Sequence, residues 1–434
     1  MGRFFHTVEA EQRESAMLGH CRRVAALGCE LSRRAGLDAR LDPVLAQAAQ
    51  FHDSMELLLD PTPLGRLATD VLCGAVPRGA ERTPHAPPAI VEPEVRTVLS
   101  LFHHRRVSEA APPLRALAGI LSLCHIVDEQ FESLEFEHRQ VATILDELQE
   151  IAAMEGFDPR LVAHLRAMQC PGLLQSVGCG DALPVEACTA RLVFRSLGQD
   201  REYEVHELAD VARRDPVLTG SLIGVANSAL HYAAGRISSI SKAISFLGTA
   251  ASRRVMLAAS MRPLFASAGV SRLWSHSVST AQFCSALAAQ TGFTTAEEGL
   301  MLGLLHDIGA LAAEFLARQT RDSRARLTEK GCPATYVERL LFGADHGELG
   351  GAILAHWGFP EQIVEAVRFH HQPERSSSPL AAFLYLAEFW SGHEEDLPSF
   401  YRVEDCLTRT GLSLESLTQV GARDKALGAL RAVA

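Results

Sequence analysis

The chain is predicted to be all-α, on three observations. Apolar residues recur at steps of three and four along most of its 434 residues. Helix-start signals are legible at several points. Alternating, strand-like runs are scarce, and the best of them, Arg191 to Phe194, is short.

Taken in order, residues 217–226 show the helical pattern in Val217-Leu218, Leu222-Ile223 and Val225-Ala226. Residues 298–317 show it in Leu300, Met301, Leu304, Leu305, Ile308, Leu311 and Leu316, which reads as one continuous helix. Asp345-His346-Gly347-Glu348 has the form of a capping box. The Asp345 carboxylate can accept an amide of the first turn while Glu348 reaches back, which places His346 in that first turn. Gly358-Phe359-Pro360-Glu361 closes one helix and opens another, carrying Ile363, Val364 and Val367. Ser376-Ser377-Ser378-Pro379 reads as a short loop, and the stretch beyond about residue 400 as one or two amphipathic helices. Pro77 to Pro93 holds five prolines and reads as an exposed loop.

Composition narrows the function. A length of 434 residues exceeds one typical core and predicts two domains. The net charge of -11 argues against a nucleic-acid or anionic-membrane partner, because a phosphate surface demands a basic one. No uncharged run of membrane-spanning length is apparent, and the N-terminus lacks the apolar core of a signal peptide. The ten cysteines contain no Cys-x-x-Cys and read as reduced thiols of a cytoplasmic protein. Lysines are few, while the abundant arginines suit phosphate recognition.

The sharpest signal is a repeated order of polar residues. In the first half His20 precedes His52-Asp53, followed by His103-His104 and Asp128. In the second half His276 precedes His306-Asp307, followed by His346, His370-His371 and Glu388. The apolar settings also match, with Leu123-Cys124-His125-Ile126-Val127-Asp128 beside Phe383-Leu384-Tyr385-Leu386-Ala387-Glu388. An imidazole beside a carboxylate in an apolar run is costly to bury unless something satisfies it, and a cation does so.

Imidazoles with carboxylates suit Fe, Mn, Zn or Ni. His346, His370 and His371 would supply a second ion beside the one held by His276, His306, Asp307 and Glu388. Two readings of each His-Asp pair stay open here: metal ligands, or a buried hydrogen-bonded pair without metal. Adjacent residues on a helix point about 100° apart, so both reach one ion only in a deeply enclosed helix. His103, His104, Arg105 and Arg106 form either a solvated helix end or a phosphate-binding edge.

The second half resembles the HDOD domain of bacterial signalling proteins. The strings that carry the resemblance include Asp215-Pro216-Val217-Leu218, Val225-Ala226-Asn227-Ser228-Ala229 and Ile237-Ser238-Ser239-Ile240. Trp274-Ser275-His276, Gly303-Leu304-Leu305-His306-Asp307-Ile308-Gly309, Asp345-His346-Gly347-Glu348-Leu349-Gly350 and His370-His371 follow in the same order. The first half resembles a divergent HD domain, closest to the HD-GYP phosphodiesterases. Its His20, His52-Asp53, His103-His104 and Asp128 fall where that family's metal ligands lie, but His-Asp-Ser replaces His-Asp-Ile-Gly and no Gly-Tyr-Pro follows His103-His104. Glu388 stands where HD enzymes use Asp.

The resemblance implies two HD-type helical bundles in tandem. The first covers 1–170 and a linker covers 171–188. The HDOD domain covers 189–434, divided into an N-terminal helical subdomain (189–265), an HD-like core (266–400) and C-terminal helices (401–434). It implies a regulatory module acting through protein or ligand binding rather than turnover. The expected partners are a signalling protein, a nucleotide ligand or a second copy of the chain. The alternative is a metal-dependent phosphohydrolase at the N-terminal site, in which Asp53 orients the attacking water and Arg105 or Arg106 steadies an anionic substrate.

Overall fold

A computed structural model describes residues 2–52, 93–104, 111–132, 141–155, 158–178, 203–213, 216–227, 237–261, 271–391 and 400–423. Among the described residues the fold is all-α, with no strand. The expected loop at Pro77 to Pro93 falls almost wholly outside the described residues, and the strand candidate Arg191 to Phe194 entirely so.

The described chain forms two compact units. The first comprises residues 1–171 and 319–343, the second residues 172–318 and 344–434. The expectation of one unbroken stretch over 189–434 therefore differs from the units at 319–343, which belongs with the first. Part of the expected linker, Leu173–Gly178, is a short helix of the second unit.

In the first unit the helices are α1 (Gly2–Arg34), α2 (Asp42–Phe51), α3 (Pro93–His104), α4 (Pro112–Glu132), α5 (Val141–Glu155) and α6 (Pro159–Met168). The same unit takes in the helices Arg321–Glu329 and Ala334–Phe342. Helix α1 packs on α2 and α4, and α2 and α4 both pack on α3. Leu27, Leu31, Leu45, Val98, Leu117, Ile120 and Leu121 fill the space between them. A polar clamp adds to this core. Buried Glu30 on α1 accepts from Arg33, Arg34 and, across a sequence separation of 296 residues, Arg326.

The second unit begins with α7 (Leu173–Gly178), α8 (Val205–Ala212), α9 (Pro216–Ala226), α10 (Ile240–Leu247) and α11 (Thr249–Met261). Next come α12 (Ser271–Thr291), α13 (Ala296–Leu305) and α14 (Ile308–Leu316). Then, beyond residue 343, come α15 (His346–His356), α16 (Glu361–Arg368), α17 (Pro379–Ser391), α18 (Phe400–Thr410) and α19 (Leu414–Arg423). The last two are the helices expected of the tail. Phe283, Leu287, Leu305, Ile308, Leu311, Val364, Val367 and Phe383 form its core.

Residues 298–317 depart from the expected single helix. His306 ends α13, and Asp307, with φ -97 and ψ 13, opens α14. That backbone setting lies in the sparsely allowed bridge region. The run Glu298–Leu316 is apolar enough to cross a membrane by length and composition, but 78% of it is buried inside the fold and it is broken at Asp307.

Candidate metal centre

The break resolves the geometric objection to a His-Asp pair. On one continuous helix the two side chains would diverge. With the turn at Asp307 both reach the same place: His306 Nε2 lies 3.4 Å from Asp307 Oδ2. Two close helix approaches hold the turn. A side chain at Gly303 would strike the Ala281 backbone of α12, and one at Gly309 would strike His346 and Gly350 of α15. Glycine is needed at both positions because helix backbones meet there.

Five further side chains converge on this turn. His276 comes from α12, and its Nε2 is 2.9 Å from His306 Nε2 and 3.3 Å from Asp307 Oδ2. His346 stands at the first position of α15, fixed by the capping box that Asp345 and Glu348 complete as the sequence predicts. Its Nε2 is 3.3 Å from Asp307 Oδ1 and 2.7 Å from His371 Nε2. His370 and His371 follow the end of α16, with ring centroids 4.0 Å apart. Glu388 on α17 places Oε1 3.9 Å from His276 Nε2 and Oε2 3.9 Å from His370 Nε2.

The result is two trios of nitrogen and oxygen donors, His276–His306–Glu388 and His346–His370–His371, each compact enough to hold a cation. Asp307 lies between them, one oxygen toward each. The tautomers favour ligation. His306 Nδ1 donates to the Gly303 carbonyl at 2.8 Å, and His370 Nδ1 to the Val367 carbonyl at 2.6 Å. Each Nε2 therefore presents a lone pair to the interior. Burial pushes the His306 imidazole down to about 4 and the His370 imidazole down to about 3, so both are neutral at pH 7. Burial opposes ionisation of Asp307, but its charge interaction with the surrounding imidazoles, His306 first, outweighs it and lowers the carboxyl below its usual range.

The donor set fits a metal on two observations. His370 Nε2 is fully buried and has no hydrogen-bond partner among the described residues, a costly state that a cation would relieve. The Asp307 contacts of 3.3 and 3.4 Å are too long for charge-assisted hydrogen bonds, which run about 2.7–2.9 Å. They match the edges between ligands around one ion, about 3.0–3.4 Å for bonds of ~2.1 Å.

The first unit also gathers its predicted residues, but in a different arrangement. His20, His52 and Asp128 come together, and His125 joins them. Asp128 stands at the outer nitrogen of His20 rather than among the ring nitrogens that face one another. Arg23 takes both its oxygens at 2.9 Å, and His20 Nδ1 takes one at 2.7 Å. Burial would raise the Asp128 carboxyl, but His20 and Arg23 hold it below its usual range. The repeated polar order directed attention to Asp128; His125, three residues earlier on the same face of α4, occupies the inward position. Their spacing was the available signal. Asp53, Arg105 and Arg106 lie outside the described residues, as do the side chains of His103 and His104, which end α3.

Comparison with known proteins agrees with the second unit. Residues 185–373 match the HDOD domain. The HDOD match takes in every inward donor of the second unit except Glu388. A solved structure of an HDOD domain protein of unknown function from Geobacter sulfurreducens is 26% identical, covering 60% of this chain and 95% of that one, with a TM-score of 0.50. The response regulator MmoQ from Methylococcus capsulatus is 26% identical over 56% of this chain and 98% of its own, with a TM-score of 0.32. An uncharacterized protein of Treponema pallidum is 24% identical over 242 residues, 50% of this chain. The chain spans 46% of the length of that curated relative.

Proposed function

We propose that this chain is a signal-transduction protein whose HDOD domain binds a pair of divalent transition-metal cations and, through them, a phosphorylated ligand such as a nucleotide. In this reading it acts in the cytoplasm and passes the bound state to a protein partner. The observation that carries the proposal is the division of two carboxylates: Asp307 and Glu388 each turn one oxygen toward either trio. The HDOD match supports the signalling role. Imidazole-rich donors with carboxylates suit Fe, Mn, Zn or Ni.

Binding is favoured over turnover by Glu388. Its oxygens stand 3.9 Å from His276 and His370, further out than those of Asp307. Gln372-Pro373-Glu374-Arg375, rather than a Gly-Tyr-Pro element, follows His370-His371 and points the same way. Phosphohydrolysis remains the second reading, favoured by Asp307, since two cations sharing a carboxylate supply a polarised phosphoryl oxygen and an activated water when bound. In our reading it belongs to the second unit rather than the first, supported by Arg23 holding both oxygens of Asp128. A tandem pair of HD-type bundles belongs to the same proposal, supported by the assembly of His20, His52 and Asp128.

The test is the metal content of the purified full chain beside Asp307→Ala and His370→Ala, with nucleotide binding read on each. The proposal expects about two fewer equivalents in Asp307→Ala, and nucleotide binding that depends on the metal. Metal content unchanged by both substitutions overturns it. Steady turnover of a cyclic dinucleotide, lost in Asp307→Ala, would establish the second reading instead.

A further inference from the structure

A helical hairpin inside the HDOD match packs with the first unit. Residues 319–343 lie within the matched stretch 185–373, yet they belong with residues 1–171. The chain therefore passes between the units three times, after Pro171, after Arg318 and after Gly343. The hairpin consists of the helices Arg321–Glu329 and Ala334–Phe342.

Polar and aromatic contacts hold it to the first unit. Arg326 pairs with buried Glu30 of α1 at 2.8 Å, and Arg34 of α1 donates to the Ser323 hydroxyl at 2.8 Å. The Tyr336 ring packs edge-on against Phe131 of α4, 6.2 Å between centroids. The Arg23 guanidinium lies over the same ring at 5.2 Å. Arg23 is the residue that takes both oxygens of Asp128. The hairpin thus rests on the side chain that fixes the first unit's buried carboxylate.

Both ends of the hairpin meet on one dipeptide. Gln319 Nε2 donates to Cys170 Sγ at 3.0 Å. The Cys170 amide donates to the Leu341 carbonyl at 2.8 Å, and Gln169 Nε2 donates to the Leu340 carbonyl at 3.0 Å. Pro171 follows directly, so all three crossings are tied at Gln169 and Cys170. Beyond the second end, only Gly343, Ala344 and Asp345 precede His346. Each of the three is committed. Gly343 closes one helix in a left-handed conformation, Ala344 is buried, and Asp345 caps α15. A displacement of the hairpin is therefore passed to the Asp345 cap rather than taken up in a loop.

We propose that the hairpin 319–343 is a regulatory link, locked at Gln169 and Cys170, which carries a change at the Arg23–Asp128 pair of the first unit to the first turn of α15 in the HDOD domain. The moving element is the hairpin itself, docked on α1 or released from it. The coupling is reciprocal, so a change at the start of α15 also alters the docking of the hairpin.

The experiment is hydrogen–deuterium exchange of the full chain beside two variants, with circular dichroism as the check on folding. Arg23→Lys keeps the charge and loses the two-pronged grip on Asp128. The double variant Gln169→Ala, Gln319→Ala opens the lock and leaves Arg23 untouched. In both, amides of 334–342 and of 344–350 should exchange about tenfold faster, within the usual range of coupling between sites, while α9 stays as in the parent. Faster exchange in 334–342 with 344–350 unchanged overturns the proposal, because the hairpin then moves without passing the change on. No rise in 334–342 in Arg23→Lys overturns it too, as does an equal rise in α9, which marks general loosening. No cation enters the measurement, so its failure leaves the proposed function standing.

Discussion

The Arg402 guanidinium on α18 donates to the backbone carbonyl of His371 at 3.2 Å. A C-terminal helix thereby grips the segment that carries a candidate metal ligand. Arg402 also pairs with Glu374 at 2.9 Å, and Arg409, about two turns further along α18, donates to the carbonyls of Pro373 and Ser376. The exposed Arg402–Glu374 pair contributes little stability, under about 1 kcal/mol. Its effect is on position. The double variant Arg402→Ala, Arg409→Ala should keep the fold and weaken the cation held by His346, His370 and His371 by about tenfold, because a loosened ligand loses its preorganisation. Titration against a competing chelator measures this. Unchanged affinity would show that α18 does not steady the ligand loop.

Gly309 sets the distance between α14 and α15. A methyl group there would lie 2.6 Å from the Gly350 nitrogen and closer still to the His346 carbonyl oxygen. Gly309→Ala must therefore push α15 away, at a cost of about 1–3 kcal/mol for an overpacked contact. Since α15 carries His346, the displacement should also separate the two trios. The expected outcome is a melting temperature lower by several degrees, with loss of one cation before the other. A variant that melts and loads like the parent would contradict the close approach.

Much of the second unit was legible in the residues. The capping box at Asp345 and the order of its histidines each pointed to the observed element. The turn at Asp307 was not legible, because an uninterrupted apolar spacing over 298–317 is what a continuous helix also shows. Only the glycines at 299, 303 and 309 signal backbone contact there. In the first unit the sequence order favoured Asp128 over His125. Which of two residues three apart faces inward depends on where Arg23 sits, a contact across 105 positions that no local pattern carries. The grouping of 319–343 with the first unit rests on a similar long-range contact, Glu30 with Arg326.

That contact gives the first unit a dependence on acid. Burial opposes ionisation of Glu30, but Arg33, Arg326 and Arg34 lower its carboxyl to about 2, against 4.5 for the free group. A depressed carboxylate contributes its full stabilisation above about 4.5 and loses it as the pH falls toward 2. The shift corresponds to at most about 3 kcal/mol, and partial exposure of the arginines reduces that to about 1–2 kcal/mol. Glu30→Gln should therefore melt well below the parent at pH 7, with the gap closing between pH 4.5 and 2. Thermal melts across that window check this, and a gap independent of pH would contradict it.

The most direct test of the paired centre is electron paramagnetic resonance of the full chain loaded with Mn(II). Two ions sharing the Asp307 carboxylate couple magnetically, so the predicted result is a multiline spectrum of a spin-coupled pair that Asp307→Ala abolishes. A spectrum of isolated Mn(II) only, the same in both chains, would contradict the account.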